Sequence, residues 1–159
     1  MRIFNIRVYG LVMNDRNEIL VSDEFICEKE ITKFPGGGLV WGEGISNCLK
    51  REFKEELNCE VETINHFYTT DFFQLSAFNE QHQIISIYYL VTLENPDDLI
   101  KHNQFWLLED AAHPFKTKDR NNHQSLRWIN ISKISEGDFT FPIDKKVASL
   151  LKGSYSKSS

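Results

Sequence analysis

Glu52, Glu55 and Glu56 are the side chains of this sequence best placed to do chemistry, because Arg51-Glu52-Phe53-Lys54-Glu55-Glu56 lies in a stretch with helical periodicity. At 3.6 residues per turn, positions i, i+3 and i+4 fall within a narrow arc, so three carboxylates are directed toward one small volume. Like charges that close repel, and a helix gains nothing from them unless a cation or a proton intervenes. Oxygen ligands without neighbouring His or Cys favour Mg²⁺ or Mn²⁺ over zinc. Upstream, Pro35-Gly36-Gly37-Gly38 forms a turn whose main chain can approach a metal or an anion closely, since glycine lacks a Cβ. Taken singly, a Glu-rich helix face is a solvated surface and a glycine run is an ordinary turn. The conjunction carries the functional reading: Gly37, an isolated Glu43, then Arg51-Glu52 and Glu55-Glu56 at fixed offsets.

From Gly37 to Cys59 these residues resemble the signature of the Nudix hydrolase family, G-x5-E-x7-R-E-U-x-E-E-x-G-U with U apolar. The match falls on Gly37, Glu43, Arg51, Glu52, Phe53, Glu55 and Glu56. Two positions depart. Asn58 stands where the family usually has Gly, and Asn is the next best residue for a left-handed helix end; Cys59 takes the last apolar position and packs as a small hydrophobe. The likeness is specific over roughly residues 34 to 61 and rests on element order elsewhere.

The resemblance implies an α/β fold, an α/β/α sandwich with a mixed β-sheet between helices, and hydrolysis of the pyrophosphate linkage in a nucleoside diphosphate joined to another group. It implies Mg²⁺ (or Mn²⁺) held by Glu52 and Glu56, by the Gly37 carbonyl, and by Glu55 as third ligand unless Glu55 is the general base. The base is open between Glu55 and the later loop that carries Asp119, Asn122 and His123. Glu43 and Arg51 are implied to pair as structural support, with Arg51 gripping phosphate as the sharper alternative. Lys33, just before the Pro-Gly turn, is a candidate phosphate contact and Arg7 a lesser one; Phe34, Phe72 and His123 are candidate substrate-binding residues. Ser22-Asp23-Glu24 lacks the basic residue often found there in nucleotide-cleaving relatives, which favours nucleotide sugars or similar conjugates over a nucleoside triphosphate. A non-catalytic nucleotide-ligand sensor on the same fold is the alternative function, and a homodimer is the implied assembly.

Composition bounds these readings. With 159 residues the chain is expected to be one domain over 1–153, followed by a flexible tail over 154–159. A formal net charge of −5 argues against a nucleic-acid surface, which would show a basic stripe, so a small nucleotide-derived substrate is expected as partner. Cys27, Cys48 and Cys59 form an odd set without a C-x-x-C, which suggests neither a disulfide framework nor a zinc knot and fits a cytoplasmic setting. No apolar run approaches membrane-spanning length, and no membrane partner is expected.

The elements that must position these residues follow from pattern. Residues 2–13 are β-rich, and Glu18–Ser22 reads as the second arm of a hairpin across Asn14-Asp15-Arg16-Asn17. A short broken strand over 33–40 precedes a helix over 45–57, with Ile45, Cys48, Leu49, Phe53 and Leu57 as its buried stripe. Two long β segments follow, 60–73 and 83–93, the second apolar enough to predict a central strand covered on both faces. Residues 95–123 read as a long functional loop bordering the site, 125–131 as a late strand, and 142–152 as a closing helix with Pro142 in its first turn.

Overall fold

A computed structural model describes residues 1–94, 99, 106–107 and 123–156. Contacts group the chain into two compact units, one of Met1–Asn14 and Phe34–Pro96, the other of Asp15–Lys33 and Asp97–Ser159. In the first unit a mixed four-stranded sheet has the order β4-β1-β6-β5, from β1 (Ile3–Val12), β4 (Gly36–Gly38), β5 (Val61–Thr69) and β6 (His82–Leu93). β1 runs parallel to β6 and antiparallel to β4, while β5 runs antiparallel to β6. In the second unit β2 (Glu18–Ile26), β3 (Lys29–Lys33), β7 (Trp106–Leu107) and β8 (His123–Asn130) form an antiparallel sheet of order β3-β2-β8-β7.

The helix that carries the carboxylates, α1 (Ile45–Leu57), has the predicted bounds. Cys48, Leu49, Phe53 and Leu57 are buried along one stripe, whereas Ile45, expected to open that stripe, is only half-buried in the first turn, and α1 packs on β1, β4 and β5. Burying Leu49 and Phe53 completely contributes about 2 kcal/mol each. The fit is close enough that a Cβ on Gly10 would overlap the Phe53 ring. Asn58 ends the helix with φ 50° and its N–H donates to the Lys54 carbonyl at 3.1 Å, the left-handed close that substitutes for glycine.

Three expectations about the strands are corrected. β2 does not form a hairpin with β1, because β6 and β4 already occupy both edges of β1; β2 pairs with β3 and β8 instead. The broken strand expected over 33–40 has different bounds: β3 starts earlier, at Lys29, and ends at Lys33, and β4 covers only Gly36–Gly38 beyond the break at Phe34-Pro35. β6 is central in its sheet but alternates between buried and half-buried positions rather than being covered equally on both faces. The closing helix, α2 (Pro142–Ser156), runs four residues past its predicted end, and the Ser154 and Ser156 hydroxyls donate to the Leu150 and Lys152 carbonyls. No described helix is long and apolar enough to cross a membrane.

Candidate active site

Arg51 organises the site. Its guanidinium has five N–H donors, and all five are engaged. Nε and Nη2 donate to the two Glu43 oxygens at 2.8 and 3.0 Å, a bidentate pair. Nη1 donates to Glu52 Oε1 at 2.8 Å and to Glu55 Oε2 at 3.3 Å. The remaining Nη2 proton reaches the Gly38 carbonyl at 3.1 Å. Burial and pairing act together here: the Glu52 side chain is only 5% exposed, against 27% for Arg51 and 40% for Glu55.

Glu43 fixes the turn between β4 and α1 as well. Its carboxylate accepts from the Val40 N–H at 3.2 Å, while its own N–H donates to the Val40 carbonyl at 3.1 Å. The hydrogen bond from Arg51 holds the Glu43 carboxyl below its ordinary pKa, and the same interaction raises that of Arg51. Cys48, beneath this pair, is pushed up to about 12, first by burial and then by the charges of Glu43 and Glu52, so its thiol stays neutral.

Gly37 meets α1 face to face. A Cβ there would fall inside the Glu52 carboxylate, so only glycine lets the β4 main chain lie against that group. Glu56 is half-buried one turn further on. Among the described residues no three acidic, His or Cys side chains stand close enough together to hold a metal ion. The cation between the carboxylates in this conformation is Arg51, which draws Glu52 and Glu55 to itself. The donor set fits a hard divalent ion nonetheless: carboxylates and a glycine carbonyl, with no nitrogen or sulfur ligand, and a main chain that comes directly onto Glu52.

The other sequence candidates fall elsewhere. With all five donors committed to Glu43, Glu52, Glu55 and Gly38, Arg51 serves the support reading rather than phosphate gripping. Lys33 is not an open phosphate contact, because its Nζ lies 2.9 Å from Glu24 Oε1 and both side chains are about 95% buried. Phe34 is core, fully buried and edge-to-face with Tyr88 at 6.0 Å. Phe72 is partly exposed in the segment between β5 and β6. His123 opens β8, where its backbone pairs with Phe25 and Leu107, and so lies in a strand rather than a loop. Asp119, Asn122 and the rest of the expected loop, apart from residues 99 and 106–107, lie outside the described residues.

The pattern did not disclose a buried polar network in the second unit. Gln124 Nε2 donates to Ser22 Oγ at 2.7 Å, Ser22 Oγ donates to Glu24 Oε1 at 3.0 Å, and Glu24 binds Lys33. The signal was present as polar residues at alternate positions of β2, Ser22 and Glu24, but their partners come from strands whose pairing could not be read locally.

A mixed sheet, a helix of acidic residues locked by one arginine, and a glycine strand laid against a buried carboxylate together make a site built around oxygen ligands. The NUDIX domain family model matches residues 4–150, and the chain belongs to that family. Membership supports hydrolysis of pyrophosphate bonds as its general activity. Solved structures agree in fold. A MutT structure from work on the Aliivibrio salmonicida and Vibrio cholerae proteins superposes with a TM-score of 0.63 at 19% identity, covering 96% of this chain and 99% of that one. A MutT NUDIX hydrolase from Burkholderia pseudomallei gives 0.62 at 16% identity over 92% and 96% of the two chains. A MutT protein from Methanosarcina mazei Go1 gives 0.60 at 16% identity over 97% and 96%. No curated protein matches the chain significantly.

Proposed function

We propose that this protein hydrolyses the pyrophosphate linkage of a nucleoside diphosphate joined to another group, such as a nucleotide sugar, with Mg²⁺ or Mn²⁺ as cofactor. The observation that carries the reading is the Arg51 network with Gly37 laid against Glu52. Glu52, Glu56 and the Gly37 carbonyl would hold the ion. When bound, such an ion neutralises phosphoryl oxygens and makes water a better nucleophile.

The protein's own groups supply the rest. Arg51 holds Glu52 in one rotamer through Nη1 and ties it to the β4–α1 turn through Glu43, which fixes the geometry before substrate arrives. Glu55, the most exposed of the three helix carboxylates that Arg51 touches or neighbours, is the group that accepts the proton of the attacking water. Hydrolysis of an anhydride depends on positioning and charge neutralisation, so no Ser or Cys nucleophile is needed, and the buried, neutral Cys48 is excluded from that role. The formal charge of −5 supports a free nucleotide derivative rather than a nucleic acid as substrate.

The test is a panel of nucleotide sugars, dinucleoside polyphosphates, dinucleotide cofactors and nucleoside triphosphates with Mg²⁺, read by release of nucleoside monophosphate or phosphate. Turnover confined to substrates with a nucleoside diphosphate joined to a second group supports the proposal. Saturable, metal-dependent binding without turnover of any member would replace it with a sensor.

A further inference from the structure

The first sheet leaves one stretch of strand edge open. In β1 the main-chain groups of even-numbered residues point toward β4, as the bonds from the Gly10 N–H to the Pro35 carbonyl and from the Leu39 N–H to the Ile6 carbonyl show, both 2.9 Å. Those of odd-numbered residues point toward β6, where the Ile3 N–H reaches the Gln81 carbonyl at 3.1 Å. After Leu39 the chain leaves the edge through a turn closed by the Glu43 N–H on the Val40 carbonyl. The N–H and C=O of Phe4 therefore face outward past the end of β4, and no described residue bonds them. Two other long edges are guarded. β5 carries two register shifts, which disrupt pairing along it, and β3 is capped by Thr140, whose hydroxyl accepts from the Thr32 N–H at 2.8 Å while its own N–H donates to the Thr32 carbonyl at 3.1 Å.

The unguarded edge is also apolar. Phe4 and Leu75 flank Gln83 in one row across the sheet, Phe4 paired with Gln83 and Gln83 bridged to Leu75. Phe4 is 66% exposed, Leu75 44% and Ile3, on the opposite face, 41%; Trp41, two residues beyond the Leu39 bond to Ile6, is fully exposed. A whole aromatic side chain presents about 150–250 Å², so Phe4 and Trp41 together leave roughly 300–400 Å² of apolar area to solvent. That approaches half of the roughly 800 Å² that each partner of a stable dimer buries, before Ile3, Val40 and Leu75 are added.

We propose that this edge is a dimer interface, taken by the same edge of a second copy of the chain running antiparallel. Ile3 lies on the two-fold axis, so that Phe4 exchanges main-chain hydrogen bonds with the partner's Arg2, and Arg2 with the partner's Phe4. An antiparallel edge is its own complement: one two-fold operation satisfies the outward main-chain groups of both copies and covers both Phe4 rings. The expected homodimer thereby gains a definite surface. The paired segment, residues 1–5, holds none of the site carboxylates, so the interface stands or falls apart from the hydrolase reading.

The experiment is sedimentation equilibrium of the full chain over a range of concentrations, for wild type and Phe4→Lys. Wild type should reach dimer mass. Phe4→Lys sets a lysine opposite the partner's Arg2 and removes apolar area from the contact, and should weaken the dimer at least about tenfold. Ile3→Cys in a Cys27→Ser background, which removes the exposed native thiol, tests the pairing itself. Non-hydrogen-bonded partners lie about 4.5 Å apart at Cα, within disulfide reach, so mild oxidation should convert that variant to a covalent dimer even if Phe4→Lys fails to fold. A wild type that stays monomeric at the highest attainable concentration, a dimer indifferent to Phe4→Lys, or an Ile3→Cys variant that does not cross-link overturns the proposal. A monomeric wild type that binds a synthetic extended peptide gives the edge to a foreign strand and overturns it equally.

Discussion

Arg51→Lys keeps the positive charge and removes the fork, which isolates what the five-donor geometry contributes. An ammonium on a flexible stem can hold one oxygen of Glu43 or Glu52 but cannot span Glu43, Glu52, Glu55 and the Gly38 carbonyl together. Each lost hydrogen bond to a charged group is worth about 1.5–3 kcal/mol if nothing replaces it. Arg51 is 27% exposed, so water restores part of that; Glu52 is only 5% exposed, so little is restored there. The net expectation is a loss of about 2 kcal/mol for Arg51→Lys and about 4 kcal/mol for Arg51→Ala, which strands a buried carboxylate. For a domain of this length the lysine variant should melt about 4–8 °C lower. The assay is a circular-dichroism melt in EDTA, repeated from neutral pH into acid. Because Arg51 lowers the Glu43 carboxyl from its ordinary 4.5, the stabilisation is full above 4.5 and disappears as pH falls through the lowered value. The gap between wild type and Arg51→Lys should therefore narrow in acid. A lysine variant that melts within about 1 °C of wild type at neutral pH would refute the five-donor account.

Glu52→Gln should reduce pyrophosphate-bond hydrolysis by at least about a hundredfold and abolish any rise in melting temperature on adding Mg²⁺; retained turnover at saturating metal removes Glu52 from the site. Gly10→Ala places a methyl inside the Phe53 ring and should cost about 2 kcal/mol by overpacking, with recovery in the Gly10→Ala/Phe53→Leu double variant as the check. The Tyr68 phenol is pushed up to about 12, chiefly by burial and then by its hydrogen bond to Asp71. Since the neutral phenol is the favoured form, its contribution is full below 10 and is lost as pH rises through about 12. Ultraviolet titration of wild type against Tyr68→Phe should place that phenolate step above those of exposed tyrosines.

What could be read from sequence was whatever short-range geometry decides. The bounds of α1, its buried stripe and its left-handed end at Asn58 follow from helical period and cap chemistry within a few residues. The Arg51–Glu43 pair, eight residues apart, followed from the family pattern. Strand pairing was illegible because it is non-local. The hairpin of β2 and β3 turns at Cys27-Glu28, both at positive φ (51° and 60°), where asparagine or glycine would have signalled a tight turn. Lys33 looked available because nothing nearby in sequence announces Glu24 as its partner; the two meet only because β3 folds back on β2.

Two buried carboxylates, Glu24 and Glu52, have their own cations, and the difference between them separates a structural pair from a chemical site. Among the described residues Glu24 pairs with Lys33 and also accepts from Ser22 and Gln124, so that pair is formally neutral within its sheet. Arg51 is shared by Glu43, Glu52 and Glu55, three carboxylates against one guanidinium, which leaves two formal negative charges before Glu56 is counted. Surplus negative charge on a largely buried group is costly unless something balances it. A neutral partner for Glu52, or a second arginine, would have relieved that cost and left nothing to attract an ion. The sequence keeps the imbalance and lays Gly37 against it, so the network that orders Glu52 also stops one cation short of neutralising it. A divalent ion would supply the two positive charges by which Arg51 falls short of Glu43, Glu52 and Glu55, with Glu56 adding a further negative ligand.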